Sequence, residues 1–296
     1  MGEAICRNLI RRSGLPVSVY DIAEAPVGRL AADGALAAAT PAGVAADVVF
    51  CSLPGHRELE EVLAGESGVL AGLAERAGPA VPGSRPGRRP IIVDLGTSSV
   101  ECTRRLAAVA RRGGIGYFDA PVARTRQAAI DGTLAVMVGG DPEVMPHIYP
   151  LLRYMATDIT YCGPVGNGQI VKQLNNMVLF QNVLAIAEAH AIGTAAGLDG
   201  AVLLDALSKG SADSFALRNH GMKAILPGDY PRNAFSTDYA LKDLGYALEL
   251  AATAGVTAQG AELARHVLEA SREAGWGSQY FPVLRRTIGT DSETAG

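Results

Sequence analysis

Up to about residue 139, short apolar runs alternate with amphipathic helical segments. From Asn167 onward only helical periodicity remains. Runs with strand character are Pro16–Tyr20, Ala35–Ala38, Asp47–Leu53, Pro90–Leu95, Gly116–Asp119 and Leu134–Val138. Helical periodicity covers Met1–Arg12, Val27–Ala32, Ser99–Arg112 and Arg57–Leu73, the last interrupted at Gly65–Gly68. Strands that alternate with helices predict a parallel sheet covered on both faces. The change of pattern predicts a second, all-α domain, and the boundary divides the chain into 1–165 and 166–296.

The first part reads as a Rossmann-type doubly wound α/β domain. In that fold the first strand is central, in the order 3-2-1-4-5-6. Here the chain opens directly on a helix at Met1-Gly2, so the first strand is expected to be missing from the sheet. Loss of a central strand leaves backbone donors and acceptors on two neighbours without partners. The Pro- and Gly-rich stretch Glu75–Arg89 is expected to be a surface loop.

With 26 basic and 30 acidic residues the chain carries a net charge of −4, so no basic excess exists to neutralise phosphates, and nucleic acid is not an expected partner. Four cysteines (Cys6, Cys51, Cys102, Cys162) and five dispersed histidines form no disulfide framework or metal-ligand spacing. The longest apolar run, Met177–Gly193, is interrupted by Gln181, Asn182, Glu188 and His190, which argues against a membrane span. No signal peptide is recognisable at the first residues, and the expectation is a cytoplasmic protein.

Gly163–Met177 (G-P-V-G-N-G-Q-I-V-K-Q-L-N-N-M) is a glycine-rich loop that runs into the long helix. Asn167 is placed to cap that helix. Lys172, Asn175 and Asn176 fall at i, i+3 and i+4 and so share a face, which gathers one ammonium and two amides at one place. Val171, Leu174 and Val178 form a separate apolar stripe expected to bury the helix. The alternative for Lys172 is a solvated lysine on an ordinary helix. Upstream, Asp21 ends the first visible strand 19 residues after Gly2, close to where a dinucleotide fingerprint places a ribose-binding acid. A carboxylate there favours NAD, with NADP possible, and no Arg follows in Ile22–Ala25. The competing reading of Asp21 is a residue that only caps a turn.

Several segments in order resemble the β-hydroxyacid dehydrogenase family, which includes 3-hydroxyisobutyrate and tartronate semialdehyde enzymes. Met1-Gly2 is similar to the tail of its G-x-G-x-M-G opening. Leu53-Pro54 is similar to its cofactor-lining dipeptide, and Asp94-Leu95-Gly96-Thr97 to its D-x-S-T turn. Asp119-Ala120-Pro121-Val122 with Gly132-Thr133-Leu134 resembles its D-x-P-V…G-T-L substrate segment. Gly166-x-Gly168-x-x-x-Lys172-x-x-Asn175-Asn176 resembles its catalytic segment, and Phe235…Lys242-Asp243-Leu244 its F…K-D-L segment. The resemblance implies an NAD(P)-dependent oxidoreductase that interconverts a small anionic β-hydroxy acid and its semialdehyde or keto form. Lys172 is then the proton donor and acceptor. Val122, Ala123, Arg124, Thr125, Asn175 and Asn176 are the implied substrate contacts, and Gly2, Asp21, Leu53, Pro54, Thr97 and Lys242 the implied cofactor contacts. A homodimer or homotetramer is expected, because the long helix is more apolar than one small domain needs.

Ala123-Arg124-Thr125 departs from the family's Ser-Gly-Gly and resembles the Gly-Arg-Thr of sulfolactaldehyde reductases, although their Ser seven residues after the Lys is Leu179 here. An Arg offers a charged, bidentate fork in place of backbone donors. Gly96 replaces the Ser of D-x-S-T. The polar patch Ser214–Gly221, with Arg218 and His220, is placed to close over a substrate, and the competing reading is ordinary surface contact. Rival functions are imine reduction on the same fold, which Lys172 weighs against, and a cofactor-dead binding relative.

Overall fold

A computed structural model describes residues 1–77, 89–232 and 234–289. Most of the Pro/Gly-rich Glu75–Arg89 stretch falls on 78–88, outside the described residues. The chain forms two compact units, Met1–Lys172 and Gln173–Gly296.

The first unit opens with α1 (Gly2–Ser13), stopped by Gly14 at φ 66°, a left-handed position that suits glycine. Next come β1 (Ser18–Val19), α2 (Glu24–Ala32), β2 (Leu36–Ala37) and a 3₁₀ turn at Pro41–Val44. β3 (Val48–Cys51), α3 (His56–Ala64), α4 (Val69–Ala77), β4 (Ile91–Asp94), α5 (Val100–Arg112) and β5 (Gly116–Asp119) continue the alternation. β6 (Val122–Ala123), α6 (Arg126–Asp131), β7 (Leu134–Gly139), α7 (Met145–Leu152) and β8 (Ala156–Gly163) complete it, and α8 (Asn167–Ala195) begins.

Strands β3, β4 and β5 are parallel, in register Cys51↔Asp94↔Asp119. All four β4 residues are buried, as expected of a strand covered on both faces. Beyond β5 the sheet is mixed rather than parallel throughout: β7 runs antiparallel to β5 and β6, while β8 runs parallel to β7. Ala120 and Pro121 separate β5 from β6, which run in the same direction as successive stretches of one path and share a continuous antiparallel register along β7. Among the described residues, β1 and β2 form a two-stranded sheet separate from the six-stranded sheet, in which β3 pairs with β4.

Two apolar clusters pack this unit. One joins Ile5 and Leu9 of α1 to Phe118, Val136, Ile148 and Leu152, and the other joins Leu59, Leu63 and Leu73 to Ile92, Leu106 and Tyr117.

In the second unit α8 continues, followed by α9 (Gly200–Leu207), a π-helical segment at Leu217–Ile225, α10 (Thr237–Thr253) and α11 (Gln259–Ser271). A second π segment at Arg272–Trp276 and a 3₁₀ turn at Phe281–Thr287 close the described chain. Phe180, Phe235 and Phe281 meet in tilted and edge-to-face contacts at 5.2–5.8 Å between centroids in its core.

The burial of α8 reverses the sequence expectation. Val171, Leu174 and Val178 are 40%, 39% and 51% exposed. Its buried face is instead Gln169, Lys172, Gln173 and Asn176, giving way to Phe180, Val183, Leu184 and Ala187. These spacings mark one continuous face that is polar for two turns and apolar afterwards. By length and composition α8 could span a membrane. Its apolar half, however, is core of the second unit, packed with Leu204, Leu244 and Phe281.

Candidate active site

The carboxyl ends of β4 and β5 deliver two buried carboxylates, Asp94 and Asp119. Asp119 is fully buried and receives the N-terminus of α8: Gly166 N–H donates to Oδ1 at 2.7 Å and Gln169 N–H to Oδ2 at 2.8 Å. Helix-opening N–H groups lack partners within the helix, and the helix dipole favours negative charge there. Asp119 therefore performs the capping expected of Asn167, whose Nδ2 instead donates to the Cys162 carbonyl at 2.9 Å. Glycines make the approach possible. A Cβ on Gly139 would stand 2.6 Å from Asp119 Oδ1, and one on Gly168 would collide with the Met137 carbonyl. Burial pushes the Asp119 carboxyl up to about 6, against the backbone N–H bonds, which pull it down.

Asp94 organises the turn between β4 and α5. Gly96 N–H donates to its Oδ1 at 2.9 Å and Ser98 Oγ to its Oδ2 at 3.2 Å. A Cβ on Gly96 would lie 3.0 Å from the Leu53 carbonyl and 3.1 Å from Asp94 Oδ1, so a side chain there requires a neighbour to give by a few tenths of an ångström. Gln169 of α8 reaches this turn, donating to the Gly96 carbonyl at 2.9 Å and accepting from Ser98 N–H at 3.1 Å. Ser99 caps α5 by accepting from Cys102 N–H.

Lys172 lies one turn after Gln169 on the same face and is buried, at 9% exposed. Further along α8, Asn175 Nδ2 donates to Asn176 Oδ1 at 3.1 Å, and Asn176 Nδ2 donates to Asp243 Oδ2 at 2.8 Å. Lys242 Nζ stands 3.0 Å from Asp243 Oδ1 and over the rings of Tyr239 and Tyr246, at 5.0 and 5.2 Å. The second unit thus links the N-N pair to the K-D-L segment through one buried carboxylate.

The remaining expected residues divide clearly. Leu53-Pro54 follows β3, and Thr97 lies on the turn after β4. Asp21 follows β1 and its Oδ1 accepts from Ala23 N–H at 2.8 Å, so it caps its own turn. Gly2 opens α1 beside Ser52, where a Cβ would come to 3.2 Å of the Ser52 Cβ. Val122 and Ala123 form β6, and Thr125 caps α6 by accepting from Ala128 N–H. Arg124 is turned to β8: its guanidinium donates to the Thr133 carbonyl, to Thr157 Oγ1 and to Asp158 Oδ2 at 2.6, 3.0 and 2.7 Å. Its φ of 84° makes it the one described non-glycine residue with positive φ. His220 is buried in the aromatic core, with Nδ1 paired to the Tyr280 hydroxyl, while exposed Arg218 pairs with Asp213. No group of three metal-ligating side chains occurs among the described residues.

Sequence reasoning passed over Asp119, Gln169, Ser98 and Asp243 as functional groups. Asp119 and Asp243 stood inside the quoted motifs. An acid at the end of an apolar strand is a signal in itself, since such a group is buried only when hydrogen-bonded.

The carboxyl edge of parallel strands is where this fold class binds dinucleotides. Asp21, Leu53-Pro54 and Thr97 stand after β1, β3 and β4, and Gly2 leaves the start of α1 unobstructed by a side chain. These residues fit an NAD-type cofactor.

Comparison with known proteins agrees. Residues 1–163 match the NAD binding domain of 6-phosphogluconate dehydrogenase, and residues 166–284 match the NAD-binding domain of NADP-dependent 3-hydroxyisobutyrate dehydrogenase. A 2-(hydroxymethyl)glutarate dehydrogenase of Eubacterium barkeri is 34% identical over 94% of this chain and 88% of its own length. A 3-sulfolactaldehyde reductase of Escherichia coli is 32% identical over 97% and 92%. The structure of Mycobacterium tuberculosis 3-hydroxyisobutyrate dehydrogenase with L-serine superimposes with a TM-score of 0.83 at 30% identity, covering 98% of this chain and 96% of that one. The fold and the matched domains define an NAD(P)-dependent oxidoreductase. Within that class the chain belongs to the β-hydroxyacid dehydrogenase family.

Asp119 and His220 give opposite pH dependences of stability. Asp119 titrates near 6 when folded against 3.8 as a free side chain, so its contribution is complete below pH 3.8 and is lost as pH rises through 6. Burial, with a smaller effect from Lys223, pushes His220 down to about 4 from 6.5. Its contribution is complete above pH 6.5 and is lost as pH falls through 4. Each swing is on the order of 3 kcal/mol, so the two nearly cancel in the wild type. Asp119→Asn removes one of them. Urea unfolding should show its penalty shrinking by about 2–3 kcal/mol between pH 4 and 7, and a constant penalty would contradict the assignment.

Proposed function

We propose that this protein interconverts a small anionic β-hydroxy acid and its semialdehyde or keto form, with Lys172 moving the proton. The observation that carries the reading is the buried Lys172 on a helix face whose neighbours, Gln169, Gln173 and Asn176, are also buried and polar. A lysine is almost never buried to satisfy packing. The bound nicotinamide supplies hydride transfer at the carbinol carbon. Lys172 Nζ takes the hydroxyl proton during oxidation and returns it to the carbonyl oxygen during reduction, as a general base and acid. Asn175 and Asn176 orient substrate oxygens, and Asp243 holds the Asn176 amide so that its carbonyl oxygen keeps one orientation. Thr97 and Lys242 serve the cofactor, and Asp21 favours NAD over NADP.

Arg124 is assigned the substrate's anionic end. One nitrogen of its fork is now on Asp158 and the other on the Thr133 carbonyl and Thr157 Oγ1; the Arg124–Asp158 pair is partly exposed, and such pairs are worth only ~0–1 kcal/mol. A substrate carboxylate or sulfonate can displace Asp158. The named relatives act on hydroxymethylglutarate and sulfolactaldehyde, which carry carboxylate and sulfonate groups, and small dicarboxylic and sulfonated hydroxy acids are the class to screen.

A cytoplasmic homo-oligomer is part of this reading. The exposed apolar stripe Val171, Leu174, Val178 and Ile192 lies along α8, and burying it against a second copy removes apolar surface from water.

Lys172→Ala should lower kcat by about 1,000-fold with NAD affinity within about threefold, measured by NADH absorbance and by fluorescence titration. Near-wild-type turnover would remove Lys172 from the mechanism. Arg124→Gly should raise substrate KM about tenfold or more while kcat changes less, and an unchanged KM would reassign the anion to the backbone of 123–125. Light scattering on a sizing column should give a dimer or larger, and Val178→Glu should shift it toward monomer.

A further inference from the structure

Gln169 is fully buried and stands one turn before Lys172 on the same face of α8. Its side chain is committed to a single turn. Nε2 donates to the Gly96 carbonyl at 2.9 Å and reaches Asp94 Oδ2 at 3.4 Å, while Oε1 accepts from Ser98 N–H at 3.1 Å. Its backbone N–H donates to Asp119 Oδ2 at 2.8 Å. The residue between the two clamped positions, Gly96 and Ser98, is Thr97. A buried amide that bonds a carbonyl on one side of a residue and an N–H on the other fixes that residue's backbone, and in a low-dielectric interior it does so strongly.

We propose that Gln169 is a positioning residue that holds the Thr97 turn at a fixed separation from Lys172. The cofactor-side contact and the proton-transfer group, which come from different elements, are thereby held in one constellation. The proposal rests on the roles given above to Thr97 and Lys172. A glutamine side chain meets this geometry with one donor and one acceptor at the right reach. Asn is one methylene too short, Leu fills the volume without donor or acceptor, and Glu keeps the acceptor but brings a second carboxylate to Asp94. Leaving Ser98 N–H and the Gly96 carbonyl without partners in a buried place is unfavourable, so the turn shifts to find others. Displacement of catalytic groups by about 1 Å costs on the order of 100-fold in rate.

The test uses the full chain with NAD and the hydroxy acid it oxidises. Gln169→Leu should lower kcat about 30–100-fold and weaken NAD several-fold, with substrate KM within about threefold. Thr97→Ala should then weaken NAD less in the Gln169→Leu background than in the wild type, since the turn is already unpinned. Gln169→Glu should be as impaired as Gln169→Leu at pH 8 and recover toward pH 6. There the two neighbouring carboxylates share a proton, and the donor to Gly96 returns.

Amide exchange at Ser98 supplies a readout independent of turnover, and its protection should fall in Gln169→Leu. If the wild type oxidises no hydroxy acid, the functional reading fails while Ser98 exchange still decides whether the clamp exists. Wild-type kcat and NAD affinity in Gln169→Leu, additive effects with Thr97→Ala, or a Gln169→Glu profile parallel to the wild type would overturn the proposal. If Gln169→Leu does not fold, Gln169→Glu decides alone. Unfolding of both would mark Gln169 as fold support only and overturn it as well.

Discussion

The structure depends on one contact: the N-terminus of α8 set against the Asp119 carboxylate at the end of β5. The sheet supplies the acid, the glycines at 139 and 168 supply the closeness, and the helix supplies unpaired N–H groups. With the start of α8 fixed, helical geometry places every later residue of its first turns. Gln169 meets the turn after β4, and Lys172 follows one turn on. Desolvation of Asp119 outweighs its hydrogen bonds, as its raised titration shows. Burial of the charge is what opposes stability near neutral pH, and the helix-opening N–H groups offset part of it.

The same helix serves two purposes along a single face. Its first two turns bury polar side chains, and its later turns bury Phe180, Val183, Leu184 and Ala187 in an all-α core. Asp243 holds the Asn176 side-chain amide in the helical unit, while in the α/β unit the Gly96–Ser98 turn holds the Gln169 side-chain amide and Asp119 holds its backbone N–H. In each unit a buried polar side chain of α8 is held in place by hydrogen bonds, and it sits on the segment that carries the proposed chemistry.

Much of the architecture was legible in the sequence because burial follows periodicity. Ile91–Asp94 and Gly116–Asp119 stood out as apolar runs, and the Gly65–Gly68 break between α3 and α4 was correctly placed. The mixed end of the sheet was not legible. β6 is two residues long, and β8, largely exposed with a T-D-I-T-Y pattern, carries little apolar signal. The stripe on α8 was misread for a physical reason. Periodicity identifies an apolar face but cannot tell a face buried within the chain from one left on its surface, and here the internally buried face begins with Gln169, Lys172, Gln173 and Asn176. Asn167 has the right residue type for a cap, but a buried carboxylate 48 positions earlier in the chain takes that place. Arg124 was read from its chemistry alone. Its ion pair with Asp158 depends on strand pairing between β7 and β8, which no local pattern reveals.

The central claim is that Lys172 carries the proton in a hydroxy-acid oxidation. Chemical rescue tests it most directly. Lys172→Ala is assayed with NAD and the best hydroxy acid, with small primary amines added at several pH values. The account predicts turnover that rises with the concentration of the unprotonated amine and is faster for more basic amines, with no such effect on the wild type. Turnover in the variant that is insensitive to added amine, with the pH dependence of the wild type retained, would contradict it.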